Sequence, residues 1–441
     1  MICRPRRLPC SWRPQRWPAH GAAAWPTQVG CRIEDDKGQH AASSLLEADP
    51  GQSLLPGAKP LWEAPYERGD SDHGNGAFLV GDSVVRSRFD GVTAFDVRTG
   101  RKRWEYQIPG RADLCTISHT DGTIALISYG EAGPKNSSVA ADTSCGTLAA
   151  LDVSTGRELW QTTRVPGSEA AVTGRITSGG GLGVILDGDD SPLTGAQSSG
   201  SHAVRAFDLL TGAARWQAAV PEGCVTGKVV AGPRDVLGAL SCTGEVKLAA
   251  FAPADGKVRW IVPLDARRGV AEASVSFLSA DPPVVWVQDR KQSGIRAILT
   301  FSSDGQPQSR IDNAGPYGDL KWAAVDGGRV ITAADYQGSQ STLKQLVAFD
   351  LATGQERWRE NLGNVDGFED LYAEGNRVTV ITTSSKYDDR YYVFDAATGD
   401  EEDDRGIRDY ASGVSVLHHK GLLITVRWGA RERPISVYER W

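Results

Sequence analysis

The chain carries 48 Lys and Arg against 55 Asp and Glu over 441 residues, with 40% hydrophobic residues and a single Met. Its net charge of -7 speaks against general nucleic-acid binding, which needs a basic face. No run approaches the roughly 18 consecutive apolar residues of a membrane-spanning helix, and 50 glycines suit a turn-rich all-β chain.

Residues 1–56 come first and stand apart. Met1 to Trp25 is rich in Arg, Pro and Trp and lacks the apolar core of a signal peptide. Gln28-Val29-Gly30-Cys31 matches a lipoprotein cleavage box poorly, because Gln28 is the wrong residue and the apolar run before it is too short. The segment is expected to be a disordered or misassigned leader, with the native export signal or anchor encoded upstream. Residues 1–59 hold eight basic and five acidic residues, which leaves the rest of the chain with a net charge of -10.

Residues 57–441 are organised by a phrase that returns seven times. The clearest copies run Ala94-Phe95-Asp96 to Thr99-Gly100 and Trp104, Ala150-Leu151-Asp152 to Thr155-Gly156 and Trp160, and Ala206-Phe207-Asp208 to Thr211-Gly212 and Trp216. A fourth is Ala348-Phe349-Asp350 to Thr353-Gly354 and Trp358. Weaker copies centre on Asp255-Gly256 with Trp260, on Asp304-Gly305 and on Thr398-Gly399, the last two without a tryptophan. The glycines recur every 44 to 56 residues, a period that signals a solenoid or a propeller.

Each copy reads as a β-hairpin: an apolar run such as Val92 to Val97, a Gly-containing turn, then a strand with Trp. The aspartate can accept hydrogen bonds from backbone two residues on, the glycine can take the left-handed conformation, and the indole supplies an apolar face between sheets. Spacers such as Ala77 to Val80 with Val84 to Arg88 predict two more strands per repeat. Four antiparallel strands per repeat make a propeller blade. Ile435 to Tyr438 stands where an eighth copy would begin, and Leu61-Trp62-Glu63 resembles Arg103-Trp104-Glu105. Residues from about 60 to 67 are therefore expected to pair beside the C-terminal strands and close an eight-bladed ring.

The pattern Ala-x-Asp-x-x-Thr-Gly-x-x-x-Trp resembles the repeat of the pyrroloquinoline-quinone-like (PQQ-like) β-propeller superfamily, over roughly residues 60–441. That superfamily includes quinoprotein alcohol dehydrogenases and the propeller lipoprotein of outer-membrane barrel assembly. The chain looks most like its secreted or membrane-tethered members from high-GC Gram-positive bacteria, and Arg outnumbers Lys about three to one. The resemblance implies the fold; a structural phrase implies no single activity.

Four cysteines lie in the propeller. Cys224 and Cys242 flank a predicted hairpin turning near Gly232-Pro233-Arg234 and are expected opposite each other, at disulfide range. Cys115 begins the inner strand of blade 2 and Cys145 ends an insertion, which places both pairs at one rim and predicts a second bond. Disulfides imply an extracytoplasmic compartment.

Candidate chemistry is sparse. Asp187, Asp189 and Asp190 open like a calcium loop, but position twelve is Ser198 rather than a bidentate Glu, so a solvated loop is expected. The run Glu401, Glu402, Asp403, Asp404 reads as an exposed face, and His418-His419 point to opposite faces of a strand. The adjacent cysteine pair common in quinoprotein alcohol dehydrogenases is absent, so no PQQ or Ca²⁺ cofactor and no catalysis are expected. Insertions at 130–144 and 187–202, the loop at Tyr336-Gln337-Gly338-Ser339, and Ser384 to Arg390 all map to the rim opposite the Thr-Gly turns. The expected function is a monomeric, noncatalytic cell-envelope scaffold. It would bind a protein or envelope ligand through that rim and meet a membrane only by way of an anchor outside this chain. The competing readings are a PQQ- and Ca²⁺-dependent dehydrogenase and the extracellular sensor of a membrane receptor or kinase.

Overall fold

Apolar runs separated by tight turns give blade 1 its strands Gly74–Val80, Ser83–Arg88, Gly91–Asp96 and Lys102–Gln107, paired antiparallel in that order. Along the third strand Val92 and Ala94 are fully buried while their neighbours are not, the period-two alternation of a strand with two different faces. The computed structural model describes residues 60–64, 74–110, 112–118, 122–131, 144–163, 176–188, 201–243, 245–264, 273–289, 295–337, 342–363, 365–383, 389–407, 414–427 and 434–439.

The same four-stranded unit repeats at residues 112–163, 176–219, 224–263, 273–312, 318–361 and 367–407, giving blades 2 to 7. Blade 8 is shared between the two ends of the chain: Val414–His419, Leu422–Arg427 and Ile435–Glu439 are completed by Pro60–Glu63. The first strands of successive blades touch one another around the ring, from blade 6 to 7, 7 to 8 and 8 back to 1. They therefore line the axis, and the tryptophan strands lie outermost. Apolar clusters fill every seam between neighbouring blades. The expected eight-bladed all-β propeller is the observed fold. Two additions depart from uniform four-stranded blades: Ala314–Gly315 adds a short strand to blade 6, and Ser201 pairs with Thr226 to bridge blades 3 and 4.

The repeated phrase welds each blade to the next. Gly100, Gly156, Gly212, Gly256, Gly305 and Gly399 each lie under the indole of the preceding blade, namely Trp62, Trp104, Trp160, Trp216, Trp260 and Trp358. A Cβ on Gly212 would come within 2.6 Å of Trp160, and its φ of 73° already belongs to the left-handed region. The indole N–H of Trp62, Trp160, Trp216, Trp260 and Trp358 then donates to a backbone carbonyl in that same turn, Val97 O at 2.8 Å in the first case. Trp104 makes the packing contact without the hydrogen bond. In blade 5, Ser309 occupies the tryptophan's register position opposite Thr300. Both hydroxyls donate to Leu351 O in the next blade, at 2.8 and 3.0 Å. Polar side chains there replace the indole's hydrogen bond, and Gly354 meets Ser309 and Arg310 instead of a ring.

The aspartate ties the turn. Asp208 Oδ1 accepts from the backbone N–H and hydroxyl of Thr211 at 2.9 and 2.8 Å, and its other oxygen takes Arg215. Asp96 and Asp350 repeat the arrangement with Thr99 and Arg103, and with Thr353 and Arg357. The arginine first, and then the threonine, hold the carboxyls of Asp208 and Asp350 down at about 2.

The ends of the chain close the ring as the sequence predicts. The strand Pro60–Glu63 sets Trp62 opposite Val437 and Glu63 opposite Ser436, and Ala64 N donates to Ile435 O at 2.8 Å. Residues 65–67 lie outside the described residues. Asp82 of blade 1 also takes His419 at 2.7 Å and Lys420 at 2.8 Å from blade 8.

Candidate functional site

Strand order divides the connections between two rims. One rim carries the turns between third and fourth strands, built on the Asp-Thr-Gly scheme in blades 1, 2, 3, 6 and 7 and on Asp255-Gly256 and Asp304-Gly305 in blades 4 and 5, together with the turns between first and second strands, most of them two residues long. The opposite rim carries the links between second and third strands, which range from Phe89-Asp90 in blade 1 to residues 132–143 in blade 2 and 189–200 in blade 3. Variation is concentrated on the second rim, and its stems are described: Ile124–Glu131 and Ser144–Asp152, Leu182–Gly188 and Ser201–Asp208, Arg329–Gln337 and Thr342–Asp350. The residues 132–143, 189–200, 338–341 and 384–388 themselves lie outside the described residues.

Cystine chemistry falls on this variable rim. Cys224 and Cys242 form a disulfide with Cα atoms 4.0 Å apart. They stand opposite in the ladder only because the strand bulges at Gly227, which corrects a register set by Ala231 opposite Val236. Cys115 is also disulfide-bonded. The side chain of Cys145 lies outside the described residues.

The bulge at Gly227 is one of a series that sequence reasoning missed. The register of the first strand shifts by one extra residue at Asn75, Cys115, Gly227, Leu278, Lys321 and Glu369. These share no residue type, so no sequence signal marks them. Bulges re-aim the side chains around them. The residues that follow are Gly76, Thr116, Lys228, Ser279, Trp322 and Asp370. Burial pushes the Lys228 ammonium down and the Asp370 carboxyl up, while Asp370 accepts from Val416 N of blade 8 at 2.8 Å. Trp322 is the large apolar member of the series and is 39% exposed.

The inner end of blade 6 carries an ionic network, which Arg296 of blade 5 joins at 3.7 Å from Asp319. Lys321 lies 2.6 Å from Asp319 and 3.8 Å from Asp335, and Lys344 lies 2.7 Å from Asp335. Asn313, held by the indole N–H of Trp286, donates to Asp319 at 2.7 Å. Lys344 also sits over the ring of Phe368 in blade 7.

A family model described as outer membrane protein assembly factor BamB matches residues 55–238, 198–303 and 285–402, which together span most of the propeller. The chain belongs to this PQQ-like, BamB-type propeller family. The outer membrane protein assembly factor BamB of Yersinia pestis is 26% identical over 240 residues, 51% of this chain and 54% of that protein. The alignment thus spans about half the length of that relative. Among solved structures, BamB from Moraxella catarrhalis superposes with a TM-score of 0.50 at 16% identity, over 86% of this chain and 97% of that one. A eukaryotic initiation factor superposes with a TM-score of 0.51 at 12% identity, over 85% and 87%. Such dissimilar neighbours show the fold and no more.

Membership of this PQQ-like family accounts for the tryptophans and glycines as joints between blades. The other sequence candidates separate. Asp187 is a strand residue opposite Ala203 whose side chain, with all of Asp189 and Asp190, lies outside the described residues. Among the described residues no group of three or more His, Cys, Asp or Glu could hold a metal. His419 bonds Asp82 while His418 stacks on Tyr372, so the pair does not converge. The acidic run is less exposed than expected: Asp403 and Asp404 are half-buried and paired with Arg405 and Arg390, and Glu402 takes Arg377. Pairing across neighbouring strands buries what a turn position alone would leave in water.

Proposed function

We propose that this propeller is a noncatalytic binding scaffold of the cell envelope, which holds a protein partner through the variable rim. The observation that carries this reading is the asymmetry of the two rims. One repeats a short glycine turn in blade after blade, most of them tied by an aspartate and threonine; the other varies its connections blade by blade on rigid stems, the usual place for recognition on a fixed scaffold. The disulfide at Cys224 and Cys242 supports an extracytoplasmic setting, and Cys145 is the proposed partner of Cys115. Relatives described as outer membrane protein assembly factors support a scaffold role among envelope proteins.

Replacing residues 189–200 by a short Gly-Ser turn, with the stems ending at Gly188 and resuming at Ser201 left intact, tests the assignment. Affinity capture from native envelopes should lose a partner that the parent chain retains, with an unchanged melting temperature. A variant that keeps every partner would remove the basis of the rim assignment.

A further inference from the structure

We propose that Lys228, on the innermost strand of blade 4, is a nucleophilic amine that takes up small aldehydes as an imine. The proposal does not depend on the rim assignment, and its test reads a different quantity. Lys102, Lys247, Lys257, Lys321, Lys344 and Lys420 each hold a carboxylate within 2.8 Å. Among the described residues Lys228 is the one lysine without a carboxylate partner.

Its position follows from the bulge at Gly227, which sets Lys228 opposite Ala239. The buried hydroxyl of Thr226 fixes the backbone there, reaching Lys228 O at 3.1 Å and Ala239 O at 3.0 Å. Ala239 belongs to the apolar cluster between blades 4 and 5, and so does Val230, two residues along from Lys228. Cross-strand partners and alternate residues share a face, so Lys228 stands on the face turned to blade 5, on the side of Val275 and Phe277. The strands packed there, Val236–Cys242 and Ala273–Ala280, carry no charged residue. The blade 3 strands on the other side carry Asp187, His202, Arg205 and Asp208, the last tied to Arg215 at the turn rim.

The chemistry follows from that setting. Half-buried beside apolar groups, the ammonium is pushed below its ordinary range by desolvation, which raises the share of free amine at neutral pH. The amine lone pair adds to the carbonyl carbon of an aldehyde and a C–N bond forms. The carbonyl oxygen then leaves as water with the two amine hydrogens, giving the imine without any oxidant or reductant. An anion would need further donors, and no second cation stands on the strands that face Lys228 from blades 4 and 5. An aldehyde needs only the amine and an apolar wall beside it.

The test treats the full folded chain at neutral pH with a limiting amount of propionaldehyde and sodium cyanoborohydride, which traps the imine as a propylamine, and reads each lysine by peptide mass spectrometry. Lys228 should be labelled about threefold or more faster than Lys257, whose ammonium is pushed up by its hydrogen bond to Asp255. The Lys228 rate should also reach half its maximum at a lower pH than that of Lys257. In guanidinium chloride the difference should vanish. Lys228→Arg should melt as the parent does and capture the same protein partner, so the rim assignment is judged separately. Labelling of Lys228 no faster than Lys257 in the folded chain, or an advantage that persists after unfolding, would overturn the proposal.

Discussion

At the residue scale, the repeated turn is a set of mutually dependent atoms. Gly212 is required twice over, by its φ of 73° and by the indole 2.6 Å from where a Cβ would stand. Gly212→Ala should therefore cost about 2 kcal/mol or more, read as a lower denaturant midpoint with an unchanged m-value. The aspartates give a pH signature. Asp350 is held at about 2 by Arg357 and then Thr353, below the unfolded value of about 3.9. Its stabilisation is fully present above about pH 4 and is lost as pH falls through about 2. Asp350→Asn should lower the melting temperature at neutral pH, and the gap from the parent should close between pH 4 and pH 2. A gap that stayed constant would show that the carboxylate charge does not hold the turn. These turns were legible in the sequence because Asp, Thr and Gly act locally, through bonds two or three residues apart. The replacement of an indole by Ser309 and Thr300 was not legible, since the acceptor, Leu351 O, belongs to another blade.

At the scale of elements, the blades are joined unevenly. Trp358 is nearly buried, covers Gly399 and donates to Ala396 O at 2.9 Å. Trp358→Ala should cost about 3–5 kcal/mol, the usual range for a large buried aromatic. Between blades 7 and 8 the scheme fails: Asp403 stands at the tryptophan's register position opposite Val393, and the apolar cluster there is small. Hydrogen exchange should show the strands Val414–His419 and Leu422–Arg427 opening before those of blades 3 and 4. Protection that was uniform around the ring would contradict that ranking. The missing tryptophan was visible in the sequence at Thr398-Gly399. The inner-strand bulges were hidden, because a ladder takes up an extra Asn, Cys, Gly, Leu, Lys or Glu equally well at a bulge. One of them, at Gly227, brings Cys224 opposite Cys242, so the sequence estimate of that pairing reached the right residues from a slightly misplaced turn.

For the whole molecule, ring closure and the proposed binding rim lie in different places. Closure depends on Pro60–Glu63, without which Ile435–Glu439 would become an unpaired edge. A chain beginning at Ala64 should melt at lower temperature and self-associate, as seen by light scattering; a monomer of unchanged stability would show that the ring closes without this strand. The eight-bladed plan was readable from the period of one phrase. The face proposed to bind a partner was readable only as the rim where that phrase is interrupted, because recognition depends on side chains gathered from separate blades. The central claim is that this rim, and not the turn rim, meets a partner. It is tested most directly by placing a photo-crosslinking amino acid singly at Tyr336, Gln337 and Arg390 on the variable rim, and at Arg98, Leu210 and Gln355 on the turn rim, in the native envelope. Crosslinks to a common protein from the first three positions and not from the last three are the predicted result. Crosslinks confined to the turn rim, or distributed equally between the rims, would contradict it.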